Sequence, residues 1–203
     1  MTRFYLVGNN GYSVQDNPEP EEWVRPLVAA GITHLEYFAD HMEPVIYENV
    51  IRDRSEYFQA TMDTIRRSRL SVASVTTGRI SYLLNVLSHP YADARAEGMR
   101  WCRRMVDLAV ALGARYCSGH FDYISQKDAR KLGARAAQRI VDGLVELSEY
   151  AARHGLAGIC LEQMHGPQLR PYIIPEMEQM LHSINARSAV PVYPMCDTGH
   201  MAH

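Results

Sequence analysis

Four short motifs carry side chains able to do acid–base or metal chemistry: Leu35-Glu36, Gly119-His120, Leu161-Glu162 and Asp197-Thr198-Gly199-His200. A carboxylate oxygen and an imidazole nitrogen a few ångströms apart suit a divalent cation or a proton-transfer pair. Each motif also has a purely structural reading. Asp197 can cap a turn with His200 on the surface, Gly119-His120 can be an ordinary tight turn, and Glu36 can pair with a neighbouring Arg. Glu162 is the hardest to explain that way, because it directly follows the apolar hexamer Leu156–Leu161. A buried acid is costly unless it is paired or binds a cation. His34, His154 and His182 read as surface or packing residues.

The elements that must position these groups alternate regularly. Strand-like runs start near residues 3, 32, 70, 114, 156 and 190: Phe4–Val7, Ile32–Phe38, Leu70–Val75, Ala114–Ser118, Leu156–Leu161 and the run from Val190. Between them lie helical stretches. One follows Pro20 and the acids Glu21 and Glu22, with Pro26 expected in its first turn or two. Another spans about Ser55–Arg69, with Phe58, Met62 and Ile65 on one face. A third spans Ala92–Leu112, with Met99, Cys102, Val106, Ala109 and Val110 sharing a face. A long helix is expected over roughly Lys127–Arg153, and a last one over about Pro175–Ala186. Asp40–Asp53 reads as a long polar loop. A βα alternation of this kind means a parallel sheet with crossover helices. In such sheets all carboxyl ends point one way, so Glu36, His120, Glu162 and Asp197, with His200 just beyond, can face one cavity. The cheapest account of several acids and imidazoles at one rim is a divalent metal; Mn, Mg, Co, Fe and Zn all suit the donor set.

The 203 residues are 47% hydrophobic and 22% charged, with net charge −2, which describes one α/β domain with a sizeable core. The near-neutral balance and the lack of a Lys/Arg cluster argue against a nucleic-acid partner. No apolar run reaches the roughly 18–20 residues of a membrane span. Met1 leads straight into a strand-like run without a signal peptide, so the cytoplasm is the expected compartment. Cys102, Cys117, Cys160 and Cys196 show no C-x-x-C spacing and read as small buried thiols. Gly8 and Gly11 follow the first strand without a dinucleotide fingerprint. An open doubly wound sheet and a (β/α)8 barrel both fit the alternation; the strand count favours the first and the chemistry at the strand ends the second.

With these motifs in their order, the chain resembles the xylose-isomerase-like TIM barrels, the superfamily of sugar and sugar-phosphate isomerases and epimerases that also includes endonuclease IV. Leu108-Ala109…Leu112-Gly113-Ala114 adds to the match, and the Pro-rich segment after Glu162-Gln163-Met164 resembles the tetrulose-phosphate epimerase branch. The resemblance implies a (β/α)8 TIM barrel of which the first six βα units lie in residues 1–203. It implies a divalent metal (Mn, Mg, Co or Zn) held by Glu162 and Asp197, with Glu162 also the catalytic acid/base. His200 becomes a substrate contact or second ligand, and His120 and Glu36 further substrate contacts. The implied activity is isomerisation or epimerisation of a small ketose or ketose phosphate, by proton transfer through a metal-stabilised enediolate. A metal-dependent lyase or dehydratase of the same fold, and a non-catalytic binding or assembly fragment, are the alternatives. The net charge sets an endonuclease-like activity aside. The family's further ligands, a His on strand seven and a Glu on strand eight, would lie beyond His203, so a longer native protein is expected, and a homodimer is a family expectation.

Overall fold

A computed structural model describes residues 4–15 and 19–200. Within them six strands and eight helices follow in the order β1 (Val7–Asn9), α1 (Pro20–Ala29), β2 (His34–Phe38), α2 (Glu48–Arg52), α3 (Glu56–Arg67), β3 (Ser71–Thr76), α4 (Ile80–Leu83), α5 (Ala92–Ala111), β4 (Tyr116–Gly119), α6 (Gln126–Leu132), α7 (Ala134–Arg153), β5 (Gly158–Gln163), α8 (Ile174–Asn185) and β6 (Val192–Cys196). All five strand pairings are parallel and the spatial order is the chain order, β1 to β6. A doubly wound sheet would reverse its order at a switch point. This sheet never reverses, so of the two candidate architectures it is the barrel, here six βα units of it.

Alternation along the strands sorts the side chains. Leu35, Tyr37, Val75, Cys117, Ile159 and Leu161 are fully buried on the face that meets the helices. They pack there with Met105, Leu108 and Ala109 of α5 and Ile140, Leu144 and Leu147 of α7, at roughly 1.5–3 kcal/mol for each large apolar side chain removed from water. The opposite face carries Glu36, Ser74, Ser118, Cys160 and Glu162. A register shift between β2 and β3 leaves Ala73 without a partner on β2 and sets Ser74 opposite Glu36. Bulges of this kind re-aim side chains near sites.

The structure corrects several expectations. The first strand lies at Val7–Asn9 rather than Phe4–Val7, whose side chains are exposed. Strand β2 runs on to Phe38, so Glu36 sits inside it and not at its end. Residues 40–53 are not an open polar loop: they hold a 3-10 turn at Ala39–Met42 and helix α2, with His41 and Glu43 buried. The long helix is broken in two at Gly133, whose φ of 52° leaves the right-handed helical region. Pro26, expected in the first turn or two of α1, is its seventh residue and so lies in the second turn. Val110 is exposed on α5, Cys196 is exposed and Cys160 only half-buried. No described helix is long and apolar enough to cross a membrane.

The segment after α4 is clamped from every side. The carboxylate of Asp122, buried past the end of β4, accepts the backbone N–H groups of Val86 (2.6 Å), Leu87 (2.8 Å) and Ser88 (3.3 Å), and the Ser88 hydroxyl. Arg139 donates to the carbonyls of Ser88 and His89, and Arg95 to those of His89 and Pro90. On α5, Gly98 lets the helix meet this segment: a Cβ there would lie 2.2 Å from the Val86 carbonyl oxygen. Glycine in mid-helix ordinarily costs about 1 kcal/mol against alanine. Here the sign reverses. Gly98→Ala should destabilise the protein by about 1–3 kcal/mol through backbone overpacking, read as a lower urea midpoint at unchanged m-value.

Candidate active site

Three donor-bearing side chains converge at the carboxyl ends of β5 and β6. Glu162, Asp197 and His200 each offer a ligand atom, and these atoms lie within 4.8 Å of one another. The local chain explains the aim of each. Alternation on β5 turns Glu162 to the lumen, where it is 6% exposed. Asp197 leaves β6 and folds into an Asx turn, its Oδ1 accepting Gly199 N–H at 2.7 Å. A single 3-10 turn, Thr198–His200, then carries the imidazole back over the site. His200 Nδ1 lies 2.9 Å from the Gln163 carbonyl oxygen. A carbonyl only accepts, so this bond assigns the proton to Nδ1 and leaves a lone pair on Nε2. That lone pair faces Asp197 Oδ2 across 3.7 Å, and Glu162 Oε1 is 3.7 Å from Nδ1. Acceptors left facing one another form the O,O,N donor set of a divalent cation, and these residues fit that group.

Electrostatics set Glu162 apart. Burial pushes its pKa up to about 7, with Asp197 and Glu36 adding to the rise and His200 and a hydrogen bond from Tyr82 opposing it. That contact, Tyr82 Oη to Glu162 Oε2, is long at 3.4 Å. Burial and Glu162 together hold the Tyr82 hydroxyl well above the ordinary phenol range, so it keeps its proton.

The rim also brings in Glu36 and His120, in different ways. Glu36 accepts from Asn9 Nδ2 (2.9 Å), Ser74 Oγ (3.0 Å) and Ser118 Oγ (3.2 Å), donors from β1, β3 and β4. Its partners are amide and hydroxyls, where the structural alternative was an Arg. His120 is 0% exposed; no hydrogen bond of good geometry reaches either ring nitrogen, and the Asp122 backbone lies close enough to favour its protonation. Burial lowers its pKa to about 3. Its backbone is fixed twice over: the Thr77 hydroxyl accepts His120 N–H at 2.9 Å and donates to His120 O at 2.7 Å. Gly119 makes that approach possible, with φ 109° and only 2.3 Å from a would-be Cβ to Thr77 Oγ1. Gly119-His120 is thus more than an ordinary turn. The Tyr82 ring packs 5.8 Å from the His120 ring, and the exposed His165 ring 5.0 Å from that of His200.

Sequence reasoning passed over Tyr82, His165, Thr77 and the serines as participants. No spacing flags them, because they come from β3, the loop after it, α4, β4 and the loop after β5. Asp122 did carry a signal, an acid two residues past a candidate imidazole in an apolar setting.

Comparison with known proteins places this geometry in context. The family model described as xylose isomerase-like TIM barrel matches residues 16–203. No curated protein matches the chain. Among solved structures, a candidate xylose isomerase of Rhodospirillum rubrum superposes with TM-score 0.85 at 23% identity, over 98% of this chain and 67% of that one. A D-psicose 3-epimerase solved in the presence of D-fructose gives 0.72 at 16%, over 98% and 65%. AsbF of Bacillus anthracis, described as a 3-DHS dehydratase of petrobactin synthesis, gives 0.66 at 13%, over 97% and 64%. The chain therefore spans about two-thirds of the length of these structures, and at these identities the likeness is one of fold.

The raised Glu162 pKa has a measurable consequence for the metal-free protein. Between pH 4.5 and about 7 the folded state binds more proton than the unfolded one, so this group's contribution to stability falls as pH rises through that window. In EDTA, Glu162→Gln should match the wild type near pH 4.5 and exceed it by about 3 kcal/mol above pH 7, an order-of-magnitude figure, by urea unfolding. Equal pH slopes for the two proteins would refute the assignment.

Proposed function

The chain belongs to the xylose isomerase-like TIM barrel family, and from that premise we propose that it isomerises or epimerises a small ketose or ketose phosphate by moving a proton at a carbon beside the carbonyl. The observation that supports this most is the convergence of Glu162, Asp197 and His200 on one point at the strand ends. These three would hold a divalent cation (Mn, Mg, Co or Zn). When bound, such an ion acts as a Lewis acid on a carbonyl and its neighbouring hydroxyl, making the adjacent C–H more acidic.

The remaining work falls to the side chains. Glu162 presents Oε1 toward His200 and Oε2 toward Tyr82, so one oxygen is free to take and return a proton while the other holds position. A carboxyl whose pKa is tuned toward neutrality serves both directions of such a transfer. Tyr82, which keeps its proton, can donate to the carboxylate or to a substrate oxygen. His200 is oriented by the Gln163 carbonyl toward the same point. His120 and Glu36 line the inner wall, His120 as a substrate contact and Glu36 as an acid held by three strands, close enough to raise the Glu162 pKa. A second reading, loss of water from a small hydroxylated substrate, draws on the similarity to AsbF.

The test is Mn2+ binding followed by EPR, then C–H exchange in D2O over a panel of neutral and phosphorylated ketoses that includes D-fructose. Glu162→Gln should slow Mn2+-dependent exchange by roughly 10²–10⁴-fold, and Asp197→Asn should weaken Mn2+ binding by about tenfold or more. Exchange untouched by Glu162→Gln would remove its assigned role. A product lighter by one water would establish the dehydratase reading, and failure to bind any divalent ion would favour a non-catalytic binding fragment.

A further inference from the structure

We propose that Arg95 and Arg139 form an anion site in the groove between α5 and α7, a place for a phosphate-type dianion. The groove runs along the helix layer that covers the outer face of the sheet, whereas Glu162 faces the inner side. The inference is therefore independent of the isomerase reading, and neither stands or falls with the other.

The argument starts from charge that nothing balances. Arg95, Arg100, Arg103 and Arg139 line a groove of about 530 Å³, and Arg135 stands close to Arg139. Two of these cations are neutralised: Arg103 pairs with Glu146 at 2.7 Å, and Arg100 with Glu97. The other acid in the lining, Asp142, is taken by Arg187 at 2.9 Å. Asp93, at the start of α5, turns its Oδ1 onto the Ala94 N–H. Among the described residues no carboxylate pairs with Arg95 or Arg139. Each donates through Nη1 to backbone carbonyls, Arg95 to His89 and Pro90, Arg139 to Ser88 and His89. Both reach the His89 oxygen, at 2.7 and 3.1 Å, so two cations meet at one neutral acceptor. Burial, then the charges of Arg95 and Arg135, lower the Arg139 pKa from the ordinary guanidinium value. A guanidinium stays charged all the same, and like charges this close cost free energy until something neutralises them.

The chemistry of the ligand follows from the donors that are left. In both side chains the hydrogen bonds to the protein, among the described residues, run through Nη1, which leaves the N–H groups of Nε and Nη2 to offer. A guanidinium presents such groups as a planar fork that matches two phosphate oxygens, and two guanidiniums match the charge of a dianion. A single carboxylate would balance only one of them. Ala92, Ala96 and Gly143 line the groove with little or no side chain and so leave room. Helix α5 begins at Ala92, so the positive end of a 20-residue helix dipole opens into the same space. The two arginines lie on the carbonyls of the segment that Asp122 clamps, which fixes the site in advance. Glu97, Asp142 and Glu146 flank them, an arrangement that suits one compact anion and opposes a polyanion such as nucleic acid.

The test is calorimetric titration of inorganic phosphate into the whole chain at constant ionic strength, with EDTA present so that no cation at Glu162 can hold the anion. Saturable binding of one phosphate per chain is expected. Arg139→Gln should weaken it about tenfold or more. Because that change also removes two carbonyl bonds, a second variant leaves both arginines in place. Ala92→Glu, one helical turn before Arg95, gives the groove an acid of its own. It should weaken phosphate binding about tenfold as well and, without phosphate, keep Tm at or above the wild-type value. The phosphorylated ketoses of the panel above separate the sources of the anion. Tighter binding than inorganic phosphate makes the ligand a phosphate ester, weaker binding makes it the free ion, and both results uphold the site. A wild type without saturable phosphate binding overturns the proposal, as does equal affinity in wild type and Ala92→Glu. Ketose C–H exchange is read separately and decides the isomerase reading alone.

Discussion

Acids buried inside a parallel sheet are the constraint on which the rest of this structure depends. A carboxylate out of water must be hydrogen-bonded, paired or neutral, and the chain handles Glu36, Asp122, Glu43 and Glu162 differently. Glu36 receives three neutral donors from three strands. Asp122 receives three backbone N–H groups and a hydroxyl. Glu43 takes the Trp101 indole N–H at 2.9 Å and the Val45 N–H at 3.2 Å on Oε1, while its Oε2 is buried without a partner. Glu162 alone of the four is left with only long contacts, at 3.4 and 3.7 Å. Three of these acids are built into the scaffold. The fourth is kept available.

That contrast explains why so much of the rim is rigid. Asp40 accepts the Arg79 N–H at 2.9 Å and fills the space where a Gly78 Cβ would stand, tying the loop after β2 to the loop after β3. Thr77 ties that loop to the end of β4, and Asp122, Arg95 and Arg139 fix the segment beyond α4. Tyr82 rides on α4 between these anchors. Its hydroxyl is therefore positioned toward Glu162 by contacts that lie well away from that carboxylate.

The βα alternation was legible in the sequence because apolar runs and helical faces repeat with their own periods, the barrel order was implied only by the family resemblance, and Glu162 was legible because an acid directly after an apolar hexamer has few structural excuses. Asp197 and His200 were legible as a pair because the Asx turn that links them is local. The break at Gly133 was missed because the apolar period continues through it on both sides, and the buried turn at Ala39–Met42 because Asp40 and His41, polar by type, make it read as loop. Glu36 could be placed on a strand, but that its oxygens are shared among Asn9, Ser74 and Ser118 depends on three strands in register.

Sequence alone thus determined the βα alternation, the parallel sense of the sheet and the residue types near the strand ends, all properties set by patterns within a few residues of one another. Tertiary structure alone decided which donors each buried acid receives, that the His120 ring is wholly enclosed, and that the Tyr82 hydroxyl reaches Glu162. Those are relations between segments some 40 to 80 residues apart in the chain, and hydrogen-bond satisfaction is a property of the space around a group, which no local pattern encodes.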